Sequence, residues 1–212
     1  MFFDAHQRAT VEAAMARIIP TDDTPGAREA GTIDFLDGYL SGLDRIYAKP
    51  DGSGFEKLEG RRAAAWQQRL DVLRDKYVHG VEELDRRSRD RFGTDFVSLD
   101  AGQQDSVLTD LERPGLDLGS AEAVASFAPV ETPLQQTSIE IDLDFLPLLA
   151  LHTRQGFYAD PIYGGNRDRV GWQVIGFPGP SSLAEVHSGR YSVLAYFAET
   201  DRENDDGAQA ET

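Results

Sequence analysis

Residues Trp66–Leu84 read WQQRLDVLRDKYVHGVEEL. Large apolar side chains recur in this stretch as Trp66, Leu70, Leu73, Tyr77, Val81 and Leu84, at spacings of 4, 3, 4, 4 and 3. That rhythm keeps them on one face of an α-helix, where a strand would alternate every second residue. The other side carries Arg69, Asp75, Glu82, Asp85, Arg86 and Arg89 and reads as a solvated face. The stretch therefore predicts a long amphipathic helix, with Gly93 ending it. Gly80 lies inside the pattern and costs about 1 kcal/mol of helix propensity. Its presence there predicts a kink or a close approach by a neighbour.

Outward from this helix the same period recurs. Val11, Ala14, Met15, Ile18 and Ile19 share a face, and Pro20 stops that helix. TDDTPG (21–26) reads as a turn, with Thr24 as N-cap and Pro25 as first residue of a second helix that presents Ile33, Leu36, Leu40 and Leu43. KPDGSG (49–54) reads as a flexible loop. Asp100 and Gln103 form a capping-box pattern opening a helix through Leu111. Residues 112–138 read as a surface loop anchored by Val124 and Phe127. Asp144 is placed to cap a helix that tolerates Pro147 in its first turn and turns Phe145, Leu148, Leu149, His152 and Phe157 inward. The alternation needed for strands is weakly present only at 139–143 and 191–197. The fold class is mainly α: one helical domain over residues 1–198, with a long Gly/Pro/aromatic-rich irregular segment near its C-terminal end and an acidic, disordered tail at 199–212.

The 212 residues are 40% apolar, enough for a packed core. The net charge of −16 repels phosphate backbones and anionic lipid, so it argues against nucleic acid and membrane surfaces as partners. The longest apolar run, FLPLLAL (145–151), is too short for a bilayer span, and a soluble chain with no direct membrane insertion is expected. Absence of cysteine excludes disulfides and thiolate chemistry. The N-terminal stretch has no basic start and no twin-arginine pair, so it does not read as a signal peptide.

Catalytic and metal patterns are scarce. His6, His79, His152 and His187 are scattered, without helical ligand spacing. Glu140, Asp142 and Asp144 alternate like the start of a calcium loop, but Phe145 stands where the glycine is needed and Leu151 where the glutamate is needed. No G-x-S-x-G elbow, P-loop or G-x-G-x-x-G is present. The strongest catalytic alternative is a hydrolase or metal-dependent enzyme using His152, Asp160 and Arg167. The other alternative is a helical binding module without a redox role.

One stretch stands apart. DPIYGGNRDRVGWQVIGFPGP (160–180) holds five glycines and three prolines together with Tyr163, Trp172 and Phe177. Gly164-Gly165-Asn166 permits a tight turn. Rigidly held Trp, Tyr and Arg are the material of interface hot spots, and buried rings are equally ordinary core. IIPTDDTPGAREAGTIDFLD (18–37), FVSLDAGQQDSVL (96–108) and GFYADPIYGGNRDRVGWQVIGFPG (156–179) together resemble the gluconate 2-dehydrogenase subunit 3 family. The resemblance implies an all-α small subunit with no catalytic residues, cofactor or metal of its own. It implies a large partner of the glucose–methanol–choline flavoprotein type that uses FAD to oxidise sugars, sugar acids or polyols, and in many members a cytochrome c subunit. Many relatives begin with a twin-arginine signal, which this sequence lacks. The complex is therefore expected to be cytoplasmic, or exported through a partner. With that resemblance, Tyr163, Gly164, Gly165, Asn166, Arg167, Trp172, Phe177, Pro178 and Gly179 are the candidate partner-binding residues. Core and docking roles coexist if Trp172 is buried while Tyr163 or Phe177 faces the partner.

Overall fold

The computed structural model describes residues 1–111, 139–180 and 184–185. Among these residues the regular elements are helical and no β-strand occurs, so the chain is mainly α. They are α1 (Ala5–Ile18), α2 (Thr32–Ser41), α3 (Gly60–Phe92), α4 (Ala101–Leu111), α5 (Ile139–Asp142), α6 (Phe145–Tyr158) and α7 (Val170–Val174).

The long helix is α3, 33 residues or about 50 Å at 1.5 Å per residue. Leu70, Leu73, Tyr77, Val81 and Leu84 are buried along its inner face. α1, α4 and α6 pack against it, and α2 lies between α1 and α6. Gly93 ends α3 at φ 78°, its N–H bonding back to Arg89. Gly80 marks a close approach: α3 runs through it, and a Cβ there would sit 2.1–2.4 Å from three ring carbons of Phe145.

α1 starts on a reciprocal cap, Asp4 Oδ1 accepting from Gln7 N–H while Gln7 Oε1 accepts from Asp4 N–H. The preceding Phe2 and Phe3 N–H groups both donate to buried Asp37 Oδ1 (2.7 and 3.0 Å), which draws Phe3 into the core beside Tyr77. Asp100 and Gln103 form the expected box at α4.

Four sequence expectations are corrected. α2 begins at Thr32, not Pro25, because residues 26–31 form a turn pressed on the end of α1. A Cβ at Gly26 would lie 2.6 Å from the Ile19 carbonyl oxygen, and Gly31 takes φ 63°. Arg69, assigned to the wet face of α3, is half-buried, its guanidinium donating to Glu140 Oε2 at 2.6 Å, whereas the 49–54 loop stands as read, its ends joined by an antiparallel bridge between Ala48 and Phe55. Residues 139–142 are helix and not strand. Asp85, assigned to the wet face of α3, is buried: Oδ1 accepts from Phe96 N–H at 3.0 Å, and Oδ2 lies 2.6 Å from His6 Nε2. The anchors Val124 and Phe127, the 191–197 stretch, and the tail after residue 198 lie outside the described residues.

Candidate functional site

The 160–180 segment folds around its own glycines. Asp160 Oδ1 accepts from Ile162 N–H (3.0 Å) and starts a 3₁₀ turn over Pro161–Tyr163, with Pro161 at its first position. Tyr163 turns inward: its hydroxyl accepts from Ala48 N–H at 3.2 Å, and its ring stands edge-on to Phe55. Gly164 takes φ 101° and brings the chain back against α2. Gly165 is buried where a Cβ would lie 2.1 Å from the Gly156 carbonyl oxygen.

Asn166 is fully buried at φ 48°. Its amide donates to Ala159 C=O at 2.8 Å and its Oδ1 accepts from Gly171 N–H at 2.9 Å. One side chain thus fastens both arms of the loop, offsetting the strain of left-handed Asn166, Asp168 and Arg169. Arg167 is exposed, its N–H on Ala30 C=O and its guanidinium on Asp34.

Trp172 is buried. Its indole N–H donates to Tyr158 C=O (2.8 Å), Gly179 lies against its ring, and Phe177 meets it edge-on. Phe177 is half-buried and Pro178 exposed. The outer face of the segment is aliphatic: Val174 and Ile175 are 41% and 57% exposed, and Tyr158, at the end of α6, is 41% exposed. The sequence reading did not single out these three residues.

Behind the segment lies a cavity of about 490 Å³ between α2 and α6, walled by Phe35, Tyr39, Tyr158 and Tyr163, with Glu140 and Asp160 also lining it. Glu140 carries it into a buried polar chain. Its Oε2 accepts from Arg69 (2.6 Å) and from the Tyr39 hydroxyl (3.2 Å). His152 is fully buried on α6, with Nδ1 2.8 Å from the Tyr77 hydroxyl. His152 Nδ1 and the Tyr77 hydroxyl share one hydrogen bond, whose direction follows the imidazole tautomer. The other ring nitrogen, Nε2, faces Glu140 Oε1 at 3.8 Å, beyond hydrogen-bond length.

Burial pushes the Glu140 carboxyl up but is outweighed by His152 and the Arg69 guanidinium, which hold it at about 2. Glu140 is therefore ionised at neutral pH. Burial, followed by the Glu140 charge, pushes both the Tyr39 and Tyr77 phenols up, so both stay neutral. Such a set can bind and orient a ligand. Its one histidine is fully buried and already hydrogen-bonded to Tyr77.

His152, Asp160 and Arg167 are not linked by any hydrogen bond or ion pair among the described residues. The 140–144 carboxylates form no loop: Glu140 points inward from α5 and Asp144 stands at the N-cap position of α6. Among the described residues no group of three or more His, Asp or Glu side chains is placed to hold a metal ion. None of the described helices is long and apolar enough to cross a membrane.

A family model described as gluconate 2-dehydrogenase subunit 3 matches residues 5–179. That span contains α1 through α7 and the whole loop braced by Asn166. No curated protein and no solved structure matches the chain.

Proposed function

The chain belongs to the gluconate 2-dehydrogenase subunit 3 family, and from that membership we propose that it is the non-catalytic small subunit of an FAD-dependent dehydrogenase complex acting on sugars, sugar acids or polyols. A subunit of this family implies partner subunits. In this reading the principal partner is a large flavoprotein of the glucose–methanol–choline type, which holds the FAD and the substrate. A cytochrome c subunit that accepts the electrons belongs to the same reading. The small subunit binds the flavoprotein and stabilises it during maturation.

The observation that carries the proposal is the family match over residues 5–179. The geometry supports it in one respect. Asn166 and the buried Trp172 hold a rigid frame, and the side chains this frame turns outward are Val174 and Ile175, with Arg167 and Pro178 beside them. Exposed aliphatic groups on a pre-organised loop lose little conformational entropy when covered, which favours binding.

Co-expression of the tagged chain with a glucose–methanol–choline flavoprotein from the same genome tests the proposal. Affinity capture should yield a complex with flavin absorbance in stoichiometric amount, and yield of active flavoprotein should fall when the small chain is omitted. A chain that elutes alone from such cells, with the flavoprotein equally active without it, would defeat the reading.

A further inference from the structure

We propose that the cavity between α2 and α6 is a socket for one aromatic side chain with a hydrogen-bond-donating tip, a tyrosine or tryptophan, inserted by the partner subunit. The inference rests on the reading above that a partner subunit binds this chain.

Shape comes first. At about 490 Å³ the cavity falls in the lower half of the size range of ligand pockets, about 300–1,000 Å³. Its walls are mostly rings. Phe35 and Tyr39 stack nearly parallel, at 6.2 Å and 10°, and present a flat surface, which Tyr158 and Tyr163 complete. Planar rings favour an inserted ring, either offset-stacked or edge-on.

The unsatisfied chemistry then selects the tip. Glu140 Oε2 is occupied by Arg69 and Tyr39, while Oε1 accepts no hydrogen bond from the described residues. His152 Nε2, fully buried, faces the same oxygen from 3.8 Å and is itself without a hydrogen-bond partner. An anionic oxygen that accepts no hydrogen bond from the described residues is a ready acceptor, and a donor brought into the cavity gains a charge-assisted hydrogen bond.

Charge decides between donors. Arg69 already neutralises Glu140, and the remaining charged side chains of the lining, Arg45 and Asp160, sum to zero. An arginine or lysine inserted here would bring a buried charge with no counterion left. A neutral phenol O–H or indole N–H reaches Oε1 without that penalty. Position agrees. Tyr158 and Tyr163 both wall the cavity and bracket the start of the segment whose far end exposes Val174 and Ile175. Aromatic anchors seated in pockets are the usual centres of interface energy.

The test uses p-cresol and indole as side-chain probes on the full chain, with toluene as the donor-less control, read by titration calorimetry. p-Cresol should bind at least about tenfold more tightly than toluene, as expected for one hydrogen bond to a charged acceptor. Ala159→Leu, which fills the cavity from its lining, should abolish probe binding and weaken capture of the co-expressed flavoprotein at least tenfold. Excess p-cresol should also compete with the flavoprotein for the unmodified chain, a measurement that does not depend on the variant folding. Absence of p-cresol binding to the free chain overturns the socket. So does an assembled complex that still takes up the probe, or capture unaffected by both Ala159→Leu and competitor. If the unmodified chain captures no flavoprotein at all, the subunit reading itself fails, whatever the cavity binds.

Discussion

Replacing Gly80 by alanine should destabilise the protein, although alanine is the better helix former. At an unobstructed position in a helix as long as α3 the change would stabilise by about 1 kcal/mol. Here the added methyl would meet the Phe145 ring at 2.1–2.4 Å, where carbon atoms prefer about 3.5–4.0 Å. The ring must retreat by more than 1 Å, and it stands edge-on to the fully buried Tyr77, whose hydroxyl holds His152. Overpacking of this kind costs about 1–3 kcal/mol, so a net loss of about 1–2 kcal/mol is expected once the propensity gain is deducted. A double-mutant cycle makes the argument sharper. Phe145→Ala alone should cost about 3 kcal/mol or less, since the ring is only half-buried. In that background Gly80→Ala should reverse sign and stabilise by up to about 1 kcal/mol. Urea denaturation followed by far-UV circular dichroism measures all four corners. If Gly80→Ala stabilises the intact chain, or costs the same with and without the Phe145 ring, the close-approach account of this glycine is refuted.

Glu140→Gln addresses acid stability. A carboxyl held at about 2 in the fold against about 4.3 when free contributes roughly 3 kcal/mol. That contribution is present above pH about 4.3 and is lost as pH falls towards 2, so over this window the unmodified chain should lose more stability than Glu140→Gln does, by about that amount. His6 behaves oppositely: its hydrogen bond to Asp85 raises its pKa, so its contribution is whole below about 6.5 and fades as pH rises through the raised value. An NMR titration placing His6 at or below 6.5 would contradict the contact. Trp172→Ala should lower the yield of folded chain, at a cost of about 3–5 kcal/mol, because the ring is buried against Gly179. Ile175→Asp, on the exposed face, should change stability by no more than about 0.5 kcal/mol yet weaken flavoprotein capture; unchanged capture would move the docking surface elsewhere.

The helices were legible because their large apolar side chains recur at helical spacing, although α1 and α2, unlike α3 with its single stripe, are buried around most of their circumference. The spacing of Trp66 to Leu84 and of Val11 to Ile19 is a direct imprint of 3.6 residues per turn, and structure and pattern agree there. Local signals failed where a distant partner decides the outcome. Thr24-Pro25 looks like a helix start, but Gly26 is drawn against the end of α1 and the start moves to Thr32. Ile139 to Leu143 alternates like a strand, but Glu140 is tied to Arg69, 71 residues away, and that link turns the stretch into a helical cap over the core. Asp85 and Arg69 sit at positions that helical spacing assigns to water. Each is drawn inside by a partner the spacing does not encode, Phe96 N–H for one and Glu140 for the other.

The 160–180 segment shows why composition could name a site without apportioning it. Core and interface draw on the same aromatic residues, so Tyr163 and Trp172 satisfy both descriptions equally. What separates the two roles is the glycine beside each ring. Gly179 lies where any Cβ would strike the Trp172 ring, so that ring is covered by the chain's own backbone. Gly176, next to Ile175, has nothing within 4 Å of the position a Cβ would take and serves only as a turn at φ 67°. Glycines of the first kind mark rings committed inward, and those of the second mark the outward bend. In the proposed complex the surface left for the partner is then the aliphatic turn at Val174–Ile175 together with the mouth of the ring-walled cavity, and both depend on the frame that Asn166 fastens.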